Sequence, residues 1–138
     1  MHFALETDYA IRLVAVLADG LQDGIESMGA AALGEAACIP KPTALKVLRQ
    51  LRDRGIVQST LGAGGGYRLA RSPSEITLIQ VIEALEGSLE ISRCLSDCYE
   101  CSRTGTEHAC CKFHRLFEAL NDGLRTELSR ITFEGKNL

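Results

Sequence analysis

Residues 41–70 read KPTALKVLRQLRDRGIVQSTLGAGGGYRLA, and the hydrophobic period changes once within that stretch. Pro42 sits where the first turn of a helix needs no N–H donor. Ala44, Val47, Leu48 and Leu51 then recur at i, i+3, i+4 and i+7, the spacing of one buried helix face, while Thr43, Lys46, Arg49, Gln50 and Asp53 point away from it. After Gly55 the pattern becomes extended. Ile56 to Thr60 reads as one strand, the run Gly62, Gly64, Gly65, Gly66 as a slender tip, and Tyr67 to Ala70 as the returning strand of a hairpin.

Working outward from that core, Thr7 is placed to cap a helix running to about Asp19, with Tyr9, Leu13, Val16 and Leu17 inward and Gly20 as its end. Met28 to Ala37 reads as a short Ala- and Gly-rich helix with Leu33 and Ala36 facing the core. Downstream of the hairpin, Thr77 and Gln80 form a capping box for a helix carrying Leu78, Val81, Ile82 and Leu85, closed by Gly87. Ser88 to Cys111 has no periodicity, and Phe113, Leu116, Phe117, Leu120, Leu124, Leu128 and Ile131 then stripe a last helix of roughly five turns. Helix, short helix, turn, basic helix and hairpin in this order predict a winged helix-turn-helix: mainly α with a small β-hairpin wing, followed by a long C-terminal helix. The expected segments are 1–87 for DNA binding, 88–111 as a cysteine-rich loop and 112–138 as dimerisation helix and tail.

Composition fits one globular domain: 138 residues, 46% hydrophobic and 24% charged. An apolar run of membrane-spanning length is absent, and Glu6 and Asp8 stand where a signal peptide carries bases, so a soluble cytoplasmic protein without membrane contact is expected. The net charge of −3 conceals its distribution. Lys41 to Arg71 holds seven basic residues against the single acid Asp53, a local +6, which leaves −9 for the remainder. A basic island in an acidic chain is an electrostatic address for a polyanion. With the second helix in the major groove and the glycine tip near phosphates or the minor groove, Thr43, Lys46, Arg49, Gln50, Gly64, Gly65, Gly66, Tyr67 and Arg68 are the candidate contacts to double-stranded operator DNA. The glycine run is not a nucleotide loop, because such loops open a helix and this one continues into a strand.

Five of the six cysteines lie between Cys94 and Cys111, and His108 and His114 fall in or beside that segment. Clustered thiols in a polar loop point to one local soft-metal site in a reducing compartment, not to disulfides spread over a secreted scaffold. Spacing leaves an iron–sulphur cluster and a structural zinc open, since Cys98-x2-Cys101 and Cys111-x2-His114 suit tetrahedral zinc, with a thiol switch as the metal-free option. A thiol oxidoreductase lacks the strand–helix setting of a Cys-x-x-Cys pair, and the chain is read as a non-enzyme with no small-molecule substrate.

These motifs together resemble the Rrf-type winged-helix transcription regulators, which include IscR-like and NsrR-like iron–sulphur proteins. The likeness rests on Thr7 to Arg12, on Leu48-x2-Leu51-Arg52-x2-Gly55-Ile56-Val57, on Gly62-x-Gly64-Gly65-Gly66-Tyr67-Arg68-Leu69-Ala70, and on Ile76-Thr77-Leu78 with Glu83 to Gly87. The resemblance implies a homodimer holding a cluster, 2Fe-2S or 4Fe-4S, through Cys94, Cys101 and Cys111, with Cys98 and Cys110 as understudies. It offers two fourth ligands: His114, as in IscR-like members, or Asp8 reaching from the other subunit, as in NsrR-like ones. The chain departs from the family in a cysteine loop about five residues longer than in IscR-like members, and in Leu61, where many members place Arg before the first glycine.

Overall fold

The stripe Ala44, Val47, Leu48 and Leu51 is fully buried, and it seats one helix against three others. The structure, a computed structural model, describes residues 2–137. Its elements run α1 Leu5–Gln22, α2 Ala30–Ala37, α3 Lys41–Asp53, β1 Val57–Ser59, β2 Tyr67–Leu69, α4 Leu78–Glu86 and α5 Lys112–Arg130, with short 3₁₀ turns at Pro73–Glu75, Arg93–Leu95 and His108–Cys110. The core lies where α1, α2, α3 and α4 meet, and Leu13, Leu33, Leu48, Ile56, Ile76 and Val81 are its fully buried centre. This is the expected winged helix-turn-helix, mainly α with a small β wing.

β1 and β2 pair antiparallel with Val57 opposite Leu69, Gln58 opposite Arg68 and Ser59 opposite Tyr67. The wing gains a third partner that periodicity did not suggest. Met28 exchanges both backbone hydrogen bonds with Tyr67, at 2.9 and 2.8 Å, so the chain before α2 is extended and the helix begins at Ala30, not Met28. Within α2, Leu33 faces the core as expected, while Ala36 is exposed and Ala37 is buried in its place.

Thr7 is not a cap. α1 starts at Leu5 with Ala4 before it, and the fully buried Thr7 hydroxyl donates to Glu86 Oε1 at 2.5 Å, across 79 positions of chain. A buried hydroxyl needs a partner, and here that partner also accepts from the Ala4 N–H at 2.7 Å. Gly20 does not end α1 either: it lies buried inside a helix that continues to Gln22. The capping box of Thr77 and Gln80 and the closing Gly87, at φ +80°, are as expected.

Beyond α5 the chain folds back over the body. Thr132 bridges Thr77, the Leu78 N–H donates to the Ile131 carbonyl at 2.8 Å, and Phe133 is buried in the core. Together with Asn121 and Arg125, this return ties both halves of α5 to the body formed by α1 to α4.

Two glycines of the wing are there for clearance. A Cβ on Gly66 would lie 2.4 Å from the Met28 carbonyl oxygen, and one on Gly65 would lie 2.5 Å from that of Thr60. Both neighbours are backbone and cannot swing aside. Gly66→Ala is therefore expected to cost about 1–3 kcal/mol as an overpacked contact, read as a lowered melting temperature. Gly123→Ala on α5, with open space around it, should be neutral or slightly stabilising.

Candidate functional site

α3 carries the expected polar face. Lys46 and Arg49 are exposed, and Thr43 and Gln50 are half-buried; the Gln50 side-chain oxygen is buried without a hydrogen-bond partner. Lys46 is held by Glu6 of α1 at 2.6 Å, an exposed pair that a phosphate can replace at little cost. On the wing, Arg68 donates to Gln58 at 3.2 Å and stays exposed. Gly64 has φ +87° with nothing within 4 Å of where a Cβ would stand, and Leu61 is 99% exposed at the tip. The tip thus offers bare backbone and one apolar side chain, whereas Gly65 and Gly66 are first of all needed to close the hairpin.

The cysteine loop hangs between α4 and α5. Its start is clamped: the Ile91 N–H donates to Asn121 Oδ1 and Asn121 Nδ2 donates to the Leu89 carbonyl, each at 3.1 Å. The Leu89 N–H donates to Glu83 Oε1 at 3.1 Å, and Arg125 of α5 pairs with the same carboxylate. Burial raises the Glu83 pKa, but the Arg125 hydrogen bond and the Leu89 N–H outweigh it and hold the group below its ordinary value of 4.5. The Glu86 carboxylate is also held low, by the Thr7 hydroxyl and then the Ala4 N–H.

A carboxylate whose pKa is lower folded than unfolded contributes stability that is complete above its unfolded value and is lost as pH falls through the folded one. Stability should therefore decline from about pH 4.5 downward. In urea titrations the decline should be shallower for Glu83→Gln than for the wild-type chain; parallel curves would show that Glu83 is not one of its sources.

All six cysteines are free thiols, and their exposure divides them. Cys94, Cys101 and Cys111 are half-buried, whereas Cys38, Cys98 and Cys110 are exposed. Cys101 closes a tight turn by exchanging backbone hydrogen bonds with Gly105 at 2.9 and 2.7 Å. The backbone N–H groups of Arg103 and then Thr104 turn toward its sulphur and lower its pKa from 9.0. The Cys98 sulphur lies 3.3 Å from Ser96 Oγ, and the Cys110 thiol donates to the Glu107 carbonyl at 3.0 Å. Cys111 is the residue just before α5.

An open cavity of about 520 Å³ lies where the loop meets α5, and Cys94, His108, His114 and Asn121 are among its walls. His114 Nδ1 is buried there with no hydrogen-bond partner. Cys101 and Cys111 do not line it, and among the described residues no three His, Cys, Asp or Glu side chains converge on a point that would hold a metal. Asp8 lies elsewhere, exposed on α1 and paired with Arg12 at 2.6 Å. Cys94 and His114 thus share this cavity, and Cys101, Cys111 and Asp8 are not among its walls.

Residues 4–135 match the family model Rrf2, described as an iron-dependent transcriptional regulator. The chain belongs to the Rrf2 family. Among curated Rrf2-like relatives, an HTH-type transcriptional regulator of Synechocystis is 38% identical over 65% of this chain and 60% of its own length. The IscR of Photorhabdus laumondii is 34% identical over 64% of this chain and 51% of its own. The chain thus spans about three-fifths or less of these relatives. A regulator from Neisseria meningitidis aligns over 97% of this chain and 86% of its own length at 29% identity.

Among solved structures, Bacillus subtilis CymR, described as a global cysteine regulator, superposes with a TM-score of 0.75 at 21% identity, over 97% of this chain and 94% of its own. T. potens IscR gives 0.70 at 23%, over 96% and 83%. At these identities the superpositions establish the fold. No helix among the described residues is long and apolar enough to cross a membrane.

Sequence reading of this Rrf2-family chain missed Asn121, Glu83 and Arg125. A lone Asn inside a striped helix is a weak signal, but it interrupts the apolar series Phe117, Leu124, Leu128 at the same face, and a buried amide implies a specific partner.

Proposed function

We propose that the chain is a homodimeric regulator that binds double-stranded operator DNA and whose operator affinity is set by an iron–sulphur cluster. Residues 1–87 form the DNA-binding unit, 88–111 the cluster loop, and 112–138 the dimer element and tail. Thr43, Lys46, Arg49 and Gln50 face the major groove, while Gly64, Gly65, Gly66, Tyr67 and Arg68 meet the phosphates from the wing. One observation carries the cluster reading. The three half-buried thiols are the three that family resemblance makes ligands, and the two exposed ones in the loop are the understudies. A buried, unpartnered imidazole nitrogen on His114 supplies a fourth donor, so the donor chemistry fits a soft or borderline metal. His114 is preferred to Asp8 because it shares a cavity with Cys94.

When bound, the cluster would supply a one-electron redox couple, which the loop's thiols by themselves do not. Cys94 and His114 share one cavity that Cys101 and Cys111 do not line, so holding one object requires the loop to close on the start of α5. The loop cannot move alone. Through Leu89 and Ile91 it is tied to Asn121, and through Glu83 to α4, which packs on α1 and α3. Closure therefore biases the position of the recognition helix between two states, and a differential DNA affinity of about 1–3 kcal/mol suffices for regulation.

The test is protein purified without oxygen. It is expected to be brown, with visible absorbance and bound iron and sulphide, and removing the iron should change operator affinity roughly 5- to 150-fold. In the same binding assay, Arg49→Ala should lower the salt slope by about one unit. Colourless protein containing zinc would overturn the cluster reading and favour a zinc-stabilised DNA-binding module.

A further inference from the structure

His108 belongs to none of these ligand sets, although it stands at the centre of the loop's side-chain contacts. Its Nε2 lies 3.0 Å from the Tyr99 carbonyl oxygen. A carbonyl only accepts, so Nε2 carries the hydrogen and donates, which fixes the tautomer of the neutral ring. The ring stacks on His114, with centroids 5.1 Å apart and planes inclined by 25°, and the Tyr99 ring lies 6.1 Å away. Tyr99, His108 and His114 thus link the middle of the loop, between Cys98 and Cys101, to the first turn of α5.

The His114 ring itself has no hydrogen bond among the described residues, and its Nδ1 is buried without a partner. A histidine ligand is normally oriented by a hydrogen bond from its other ring nitrogen, and loss of such support weakens or retunes the site. Here the stack on His108 is what restrains the plane of the ring. His108 is in turn restrained by the Tyr99 carbonyl, so His114 is anchored at one remove to the loop backbone.

We propose that His108 is a positioning residue: it holds the His114 imidazole by stacking, in the orientation that leaves Nδ1 free for iron. The proposal rests on the reading of His114 as the fourth ligand. It differs from a purely structural role in that the stack, not the loop anchor, sets the electronic surroundings of the ligand. Three variants of the full chain separate these. His108→Phe keeps a flat ring and loses the hydrogen bond; His108→Gln keeps a donor for Tyr99 and loses the ring; His108→Ala loses both.

Two readouts are compared. In iron-free protein, long-range ¹H–¹⁵N spectra of the imidazoles should show His108 as the Nε2–H tautomer. The His114 signals should shift or broaden in His108→Ala and His108→Gln and recover toward wild type in His108→Phe. In protein purified without oxygen, the Ala and Gln variants should keep wild-type iron content but move the visible spectrum and midpoint potential in the direction of His114→Ala, with His108→Phe near wild type. Adding His108→Ala to His114→Ala should shift neither further.

If His108→Ala impairs folding of the loop, the Gln and Phe pair carries the comparison alone. Wild-type spectra and potential in both His108→Ala and His108→Gln, or an equal shift in the His114→Ala background, would overturn the proposal. So would His108→Phe behaving like His108→Ala. The functional reading fails differently: wild-type protein would then take up no iron, and the ligand role of His114 would fall together with the positioning of it.

Discussion

Leu120→Glu is expected to yield a folded monomer whose operator affinity is at least about 100-fold lower than that of the wild-type chain, because linked half-site binding is worth roughly that factor or more. The apolar series on α5 is not one stripe but two faces. Phe117, Leu124 and Leu128 are half-buried around Asn121, the one buried residue of α5 among the described residues, and turn toward the body. Phe113, Leu116 and Leu120 lie on the other side, 60%, 49% and 54% exposed. An exposed contiguous apolar surface of this kind marks an association site, and a symmetric pair would bring the same surface of two copies together.

The two faces make separable predictions. Leu120→Glu should leave the circular dichroism spectrum and melting behaviour of the monomer intact while halving the sedimenting mass. Leu124→Glu should also weaken the packing of α5 on the body and lower stability. The loss of DNA affinity follows from geometry: a dimer contacts two half-sites about one helical turn apart, and a monomer engages one. A Leu120→Glu protein that still sediments as a dimer would show that the outer face of α5 is not the interface.

What the sequence disclosed and what it withheld differ by the range of the interaction. The buried stripe of α3, the Thr77 capping box and the Gly87 stop are set by residues within one or two turns, and each was readable. Thr7 was misread because a hydroxyl at a helix start serves equally as a cap or as a donor to a distant carboxylate, and Glu86 lies 79 positions away. The α2 start was misplaced for the same reason: Met28 looks helical until Tyr67 claims its backbone.

The wing glycines show a subtler ambiguity. Close approach of backbone to DNA and close approach of backbone to Met28 demand the same residue, and only the folded chain distinguishes the second demand at Gly66 from the open space at Gly64. The cysteine loop was least legible, since it has no period from which a register follows. Its ligands were assigned by resemblance, and exposure now gives an independent partition of the same thiols.

That partition makes the strongest test of the site. Cys94→Ala, Cys101→Ala and Cys111→Ala should each abolish the visible absorbance and iron content of protein purified without oxygen, because a missing thiolate leaves iron to water or oxygen and so to loss. Cys98→Ala and Cys110→Ala should retain both. Cys98 and Cys110 are exposed, whereas Cys94, Cys101 and Cys111 are half-buried, so removing either exposed thiol should open no vacancy at the metal. Cys38 stands apart at the end of α2, and its replacement should leave iron content unchanged. The fourth position is decided by charge: neutral imidazole and carboxylate place different charge on iron, so loss of the true ligand shifts spectrum and potential. His114→Ala should therefore move both, and Asp8→Ala, which breaks only the exposed pair with Arg12, should move neither. Loss of iron in Cys98→Ala and Cys110→Ala with retention in Cys101→Ala and Cys111→Ala would invert the register. In that case the half-buried position of Cys101, in a turn that lowers its pKa, would be a feature of loop folding alone.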